Sequence, residues 1–110
     1  MEFNWQTKEN KQLLEGILAL KNTEEAKRFL RDLLTPQEIE EFSKRLEAAR
    51  MLSQNVQYNT IIEKTGLSST TVARISKWLK GSFGGYRLIL PRLSHHHALS
   101  PIGKGLSLRT

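Results

Sequence analysis

A short stretch of the chain gathers four hydroxyls, one methyl and three cations: Ser68, Ser69, Thr70, Thr71, Ala73, Arg74, Lys77 and Lys80, with Lys64 just before them. Short hydroxyls can hydrogen-bond base edges or phosphates. An arginine can clasp guanine through two parallel bonds, and alanine and threonine methyls can touch a thymine methyl. Lysines reach phosphates as point charges, and the free amides at a helix N-terminus can bind a phosphate as well. This is the chemistry of recognition rather than of bond-making. No nucleophile stands with a base and an orienting acid anywhere in the chain, so an enzyme is the least expected class.

Such a set needs an element to hold it on one face. Residues 57–80 read as two short helices joined by a tight turn. Gly66 stands where the backbone must turn sharply, and Ser68 where the second helix needs an N-cap. Ile61, Leu67, Val72 and Ile75 fall where a helix pair buries its apolar contacts. If Val72, Ile75 and Leu79 point inward, residues 69, 70, 73, 74, 77 and 80 point out. The pattern is a helix-turn-helix, whose second helix enters the DNA major groove. Lys64, Lys77, Lys80 and Arg87 are then candidates for phosphate contacts.

The remaining segments also read as helices. The first is expected over about Trp5–Leu20, with Leu13, Leu14, Ile17 and Leu18 on one stripe; Gly16 weakens it slightly. Thr23 is the expected cap of the second, whose apolar face is Ala26, Phe29, Leu30 and Leu33. Thr35-Pro36-Gln37-Glu38 predicts a capping box opening a third helix to about Leu52, with proline at the first helical position. Ile39, Phe42, Leu46 and Ala49 give that helix the period of a buried seam, and Gln54-Asn55 ends it. Tyr86 to Leu90 predicts one further turn, stopped by Pro91. Trp78 and Tyr86 read as core or interface aromatics. The fold class is all-α, with five to six helices. Residues 1–93 form the helical domain, and 94–110, low in bulky side chains, a flexible basic tail.

Charge separates the two halves. Residues 1–48 carry ten acids and eight bases, whereas residues 49–110 carry nine bases and one acid, Glu63. The whole 110-residue chain has a formal net charge of +6. A near-neutral half joined to a basic half suits a scaffold with a polyanion-binding surface. The absence of cysteine excludes disulfides, thiolate metal sites and thiol catalysis. His95-His96-His97 makes a poor specific metal site, and the glycines at 81, 84 and 85 lack the lysine and preceding strand of a phosphate loop. No metal or cofactor is therefore expected. With no signal pattern and no long apolar run, the chain reads as cytoplasmic and without a membrane partner.

Leu34-Thr35-Pro36, Arg45, the helix-turn-helix and Thr71-Val72-Ala73-Arg74 together resemble the Trp-repressor-like superfamily. Gly84-Gly85-Tyr86-Arg87-Leu88 resembles its smaller, uncharacterised branch of regulators. The resemblance covers roughly residues 5–92. It implies an intertwined all-helical homodimer that binds a palindromic operator on double-stranded DNA, one recognition helix per half-site. It also places Arg45 and Arg74 at the two ligand-binding arginines of the tryptophan-sensing members. Ile75 and Trp78, however, stand where those members have glycine and serine. Both are bulky enough to fill an indole pocket, so no tryptophan corepressor is expected. The expected function is a sequence-specific DNA-binding transcriptional regulator, a repressor, reading its operator through the helix 69–80. The alternative is a helical dimeric interaction module whose basic face binds an acidic protein partner.

Overall fold

The computed structural model describes residues 3–99, with side chains as far as Ser94. It contains six helices: α1 Lys8–Leu18, α2 Thr23–Leu33, α3 Pro36–Ser53, α4 Tyr58–Thr65, α5 Ser69–Leu79 and α6 Gly85–Leu99. No strand occurs among the described residues, so the fold is all-α as the periodicity predicts. The chain divides into two compact units, one ending at Ile39 and the other beginning at Glu40.

In the first unit, local hydrogen bonds set the helix starts, and for α1 and α2 they do so one to three residues away from the expected places. Thr7 is extended, and its hydroxyl accepts the Asn10 amide at 3.1 Å. That begins α1 at Lys8 rather than Trp5, because the preceding residues are tied into a turn by Asn4. The Asn4 side chain accepts the Gln6 amide, and the Asn4 carbonyl accepts from Asn10 Nδ2. Asn22, not Thr23, caps α2: its side-chain oxygen accepts the Glu25 amide at 2.9 Å, while the Glu25 carboxylate accepts the Lys21 amide at 3.0 Å. Asparagine is at least as good a cap as threonine, and Glu25 is correctly spaced only for Asn22. Gly16 has a packing role, since a Cβ there would lie 3.2 Å from the Phe29 ring. Its bare backbone lets α1 approach α2. Thr35 and Glu38 form the expected capping box, with each side chain accepting the other's amide at 3.1 and 2.9 Å.

In the second unit, α3 ends in a Schellman motif. Asn55 takes φ 64°, its amide donates to Leu52 O, and the Val56 amide donates to Met51 O. Val56 then packs against the core, as the apolar residue after such a cap often does. The core is built from Ala48, Ala49 and Met51 of α3, Ile61 of α4, Leu67 of the turn, Val72 and Ile75 of α5, and Leu90 of α6. The buried face of α3 is therefore not the whole expected seam. Ala49 is buried, but Phe42 remains 46% exposed, because α4, α5 and α6 cover the C-terminal half of α3.

The stop expected at Pro91 does not occur. Pro91 lies inside α6, which continues to Leu99. Proline forfeits one backbone hydrogen bond. That loss does not end a helix whose neighbouring turn is anchored, and here Leu90 is buried and Tyr86 packs against the core. Residues 94–99 of the expected tail thus continue α6, and residues 100–110 lie outside the described residues.

Candidate nucleic-acid interface

The turn between α4 and α5 is fixed from both sides. Gly66 ends α4 in the left-handed region at φ 77°, its amide donating to Ile62 O at 2.9 Å. Among the described residues of this unit Thr65 is the buried polar one, and its hydroxyl is bonded twice: it donates to Ile61 O at 2.7 Å and accepts the Leu67 amide at 3.2 Å. Buried polar groups are tolerated when bonded in this way. Leu67 then drops into the core, and Ser68 begins α5 as its N-cap.

The sequence candidates separate into two groups at this turn. Ser68 and Thr71 face one another. The Ser68 hydroxyl accepts the Thr71 amide at 3.1 Å and donates to the Thr71 hydroxyl at 3.0 Å. Their first task is to close the end of α5. Ser69, Thr70, Ala73, Arg74 and Lys77 are exposed along one side of α5, with Lys80 at its C-cap and Lys64 at the end of α4. Val72 and Ile75 are fully buried on the opposite side. Among the described residues, none of Lys64, Arg74, Lys77 and Lys80 forms an ion pair. The α5 segment itself contains no acid. The result is an exposed face of short polar groups and of cations without ion pairs among the described residues, backed by the buried Val72 and Ile75.

Electrostatics beside this face agree with its basic character. A hydrogen bond from Arg50 holds the Glu47 carboxyl below the ordinary glutamate range. Burial opposes that shift, while the charges of Arg50 and Lys64 reinforce it. Burial raises the Tyr86 phenol above its usual value, and nearby Arg45 partly offsets the rise.

The two arginines expected to bind a ligand differ in their surroundings. Arg45 Nε lies 3.4 Å from Glu41, and its guanidinium sits 5.6 Å from the Phe42 ring centroid. Arg74 is exposed on the outer side of α5. Ile75 is buried in the core as its apolar character requires, but Trp78 leaves 47% of its surface exposed. Trp78 lines an open apolar pocket of about 750 Å³ with Leu46, Gly81, Phe83, Tyr86 and Ile89. Trp78 therefore does not pack away as a core aromatic. Neither Arg45 nor Arg74 lines that pocket.

Residues 8–94 match the protein-family model described as Trp repressor protein. The chain belongs to this family. It is 41% identical over 86 residues to the Bacillus subtilis (strain 168) protein YerC, described as uncharacterized, spanning 78% of this chain and 83% of YerC. The crystal structure of a TrpR-like protein from Eubacterium eligens superposes with a TM-score of 0.75 at 38% identity, covering 82% of this chain and 93% of that one. Membership thus extends from the start of α1 to Ser94, and it includes the whole helix-turn-helix. The uncharacterised branch suggested by Gly84-Gly85-Tyr86 is where these relatives lie.

Arg87 is the residue whose surroundings depart most from expectation. A candidate for a phosphate contact, it donates from Nη1 to the Leu79 carbonyl at 2.6 Å. The partner lies eight residues back, beyond any local motif. The signal in the sequence is Gly84, where a Cβ would lie 3.0 Å from Arg87 Nη2.

Proposed function

We propose that this member of the Trp repressor family is a sequence-specific DNA-binding transcriptional regulator that acts in the cytoplasm as a homodimer and represses by occupying a promoter. The observation that carries this reading is the exposed side of α5. Ser69, Thr70, Ala73, Arg74 and Lys77 project from a helix whose inner residues Val72 and Ile75 are fully buried, and neither Arg74 nor Lys77 forms an ion pair among the described residues. In the major groove, Ser69, Thr70, Ala73 and Arg74 read base edges. Lys64, Lys77 and Lys80 bind phosphates and make the affinity steeply salt-dependent. Ser68 and Thr71 shape the N-terminus of α5, whose free amides can also meet a phosphate.

The first unit supports the dimer. No residue of α1 or α2 is buried. Leu13, Leu14, Ile17, Leu18, Leu30 and Leu33 are all exposed to some degree, with Leu18 at 84%. An apolar surface of this kind marks an interaction site. We take a second copy as the partner that covers it; a dimer reading a palindrome with one α5 per half-site needs half-sites about one DNA turn apart, roughly 34 Å. No described helix is long and apolar enough to cross a membrane. Tryptophan is not part of this proposal, because Ile75 and Trp78 replace the small residues of the tryptophan-sensing members.

The test is selection of the purified chain on a random duplex library at roughly physiological salt, followed by sequencing. Enrichment of a palindrome with half-sites about one turn apart is the expected result. Retention without enrichment would leave a basic surface suited to an acidic protein partner.

A further inference from the structure

The carbonyls in the last turn of α5 are not all satisfied in the same way. Ser76 and Lys77 share the Lys80 amide at 3.3 and 3.2 Å, and Trp78 takes the Gly81 amide at 3.0 Å. Leu79 takes the Arg87 guanidinium instead, at 2.6 Å. That bond is charge-assisted and lies at the negative end of the α5 dipole, where a cation is favoured.

Gly84 makes the contact possible in two ways. It sits at φ +71°, a conformation that other residues rarely adopt, and a Cβ there would lie 3.0 Å from Arg87 Nη2. The backbone turn and the space for the guanidinium therefore come from the same residue. Arg87 also occupies the first turn of α6, which contains no acid. A cation near the N-terminus of its own helix is disfavoured. The position of Arg87 makes sense as a bond to the end of α5, against which α6 packs.

We propose that Arg87 is a positioning residue. With Gly84 it fixes the C-terminal end of α5 against the start of α6, and so sets the angle at which Ser69, Thr70, Ala73 and Arg74 meet the bases. The second half of this statement rests on the DNA-binding reading above; the first half does not.

Two measurements on wild type, Arg87→Gln, Arg87→Lys and Gly84→Ala test it. The first is amide hydrogen exchange. In Arg87→Gln and Gly84→Ala, the Lys80 and Gly81 amides are expected to exchange at least about 10-fold faster than in wild type, while α4 is unchanged. Arg87→Lys, which keeps a cation for the carbonyl, recovers most of the protection. Wild-type protection in Arg87→Gln overturns the proposal whether or not the protein binds DNA. The second is affinity for the duplex selected by the wild-type chain and for a shuffled duplex of equal length, at a temperature where circular dichroism shows each variant fully helical. Arg87→Gln and Gly84→Ala are expected to lose about 10-fold or more on the selected duplex and under about 3-fold on the shuffled one, with little change in salt slope. Equal losses on both duplexes, with the Arg87→Gln slope reduced by about one, would make Arg87 a phosphate contact and overturn its positioning role. If wild type selects no palindrome, the DNA-binding reading fails, and exchange alone decides the positioning of α5.

Discussion

Ser68 and Thr71 are joined by two hydrogen bonds, one from the Thr71 amide to the Ser68 hydroxyl at 3.1 Å and one between the two hydroxyls at 3.0 Å. The cap of α5 is thus distinct from the neighbouring hydroxyls of Ser69 and Thr70, which take no part in it. Ser68→Ala is expected to destabilise the protein by about 1 kcal/mol, the usual loss on removing a serine N-cap. Ser69→Ala is expected to change stability by under about 0.5 kcal/mol, as for an exposed surface site. Urea denaturation of the two variants checks both values. Equal destabilisation would mean that Ser69 also holds the helix start.

Gly66 offers a cleaner test of the turn. Nothing lies within 4 Å of a Cβ built there, so space is not the constraint. Its φ of 77° is. Gly66→Ala is therefore expected to cost about 1–2 kcal/mol through backbone conformation alone. A urea midpoint equal to wild type would show that the turn relaxes into another shape.

Arg74 and Lys80 are expected to differ in kind on DNA. Arg74→Ala should cost about 1–3 kcal/mol on the selected duplex and relax preference at one base pair. Lys80→Ala should weaken binding to all duplexes and lower the slope of log affinity against log salt by about one. Fluorescence anisotropy across a salt series separates the two. Uniform weakening by Arg74→Ala would remove it from base reading, and an unchanged slope would remove Lys80 from the phosphate contacts.

Glu47 and Arg50 form a bidentate pair, 2.6 and 2.9 Å in its two bonds, with each side chain about half exposed. The folded state lowers the carboxyl's pKa. A lowered carboxyl favours folding above its unfolded pKa, and the contribution fades as pH falls through the folded value. Exposure limits its size to under about 1 kcal/mol. Glu47→Gln is thus expected to be slightly less stable than wild type at neutral pH and equal to it once the carboxyl is protonated. A difference that grows in acid would contradict the pairing.

Much of this fold is legible in the chain because its signals are local. The Thr35–Glu38 box, the Gly66 turn and the Ser68 cap are each defined within a few residues. The spacing of Ile61, Leu67, Val72 and Ile75 correctly identifies buried positions in the helix-turn-helix. The departures arise where local signals compete or where distant packing decides. Asn22 and Thr23 are adjacent capping residues, and only the reach of Glu25 selects between them. Pro91 is a stop by local rules, yet the anchoring of Leu90 and Tyr86 carries α6 past it. Gly16 reads as a weak point until Phe29 is found against it. Arg87 reads as a surface cation, whereas its partner is a helix end eight residues away. For the candidate interface, periodicity identifies the outward side of α5, but only the hydrogen bonds separate Ser68 and Thr71 from Ser69 and Thr70.

The most direct test of DNA reading by α5 is the ratio of the chain's affinities for its selected duplex and for a shuffled duplex, both at one physiological salt concentration. A specific regulator is expected to give a ratio of about 10³ or more. A ratio near one would contradict sequence reading by α5 and leave its cations as a general polyanion surface.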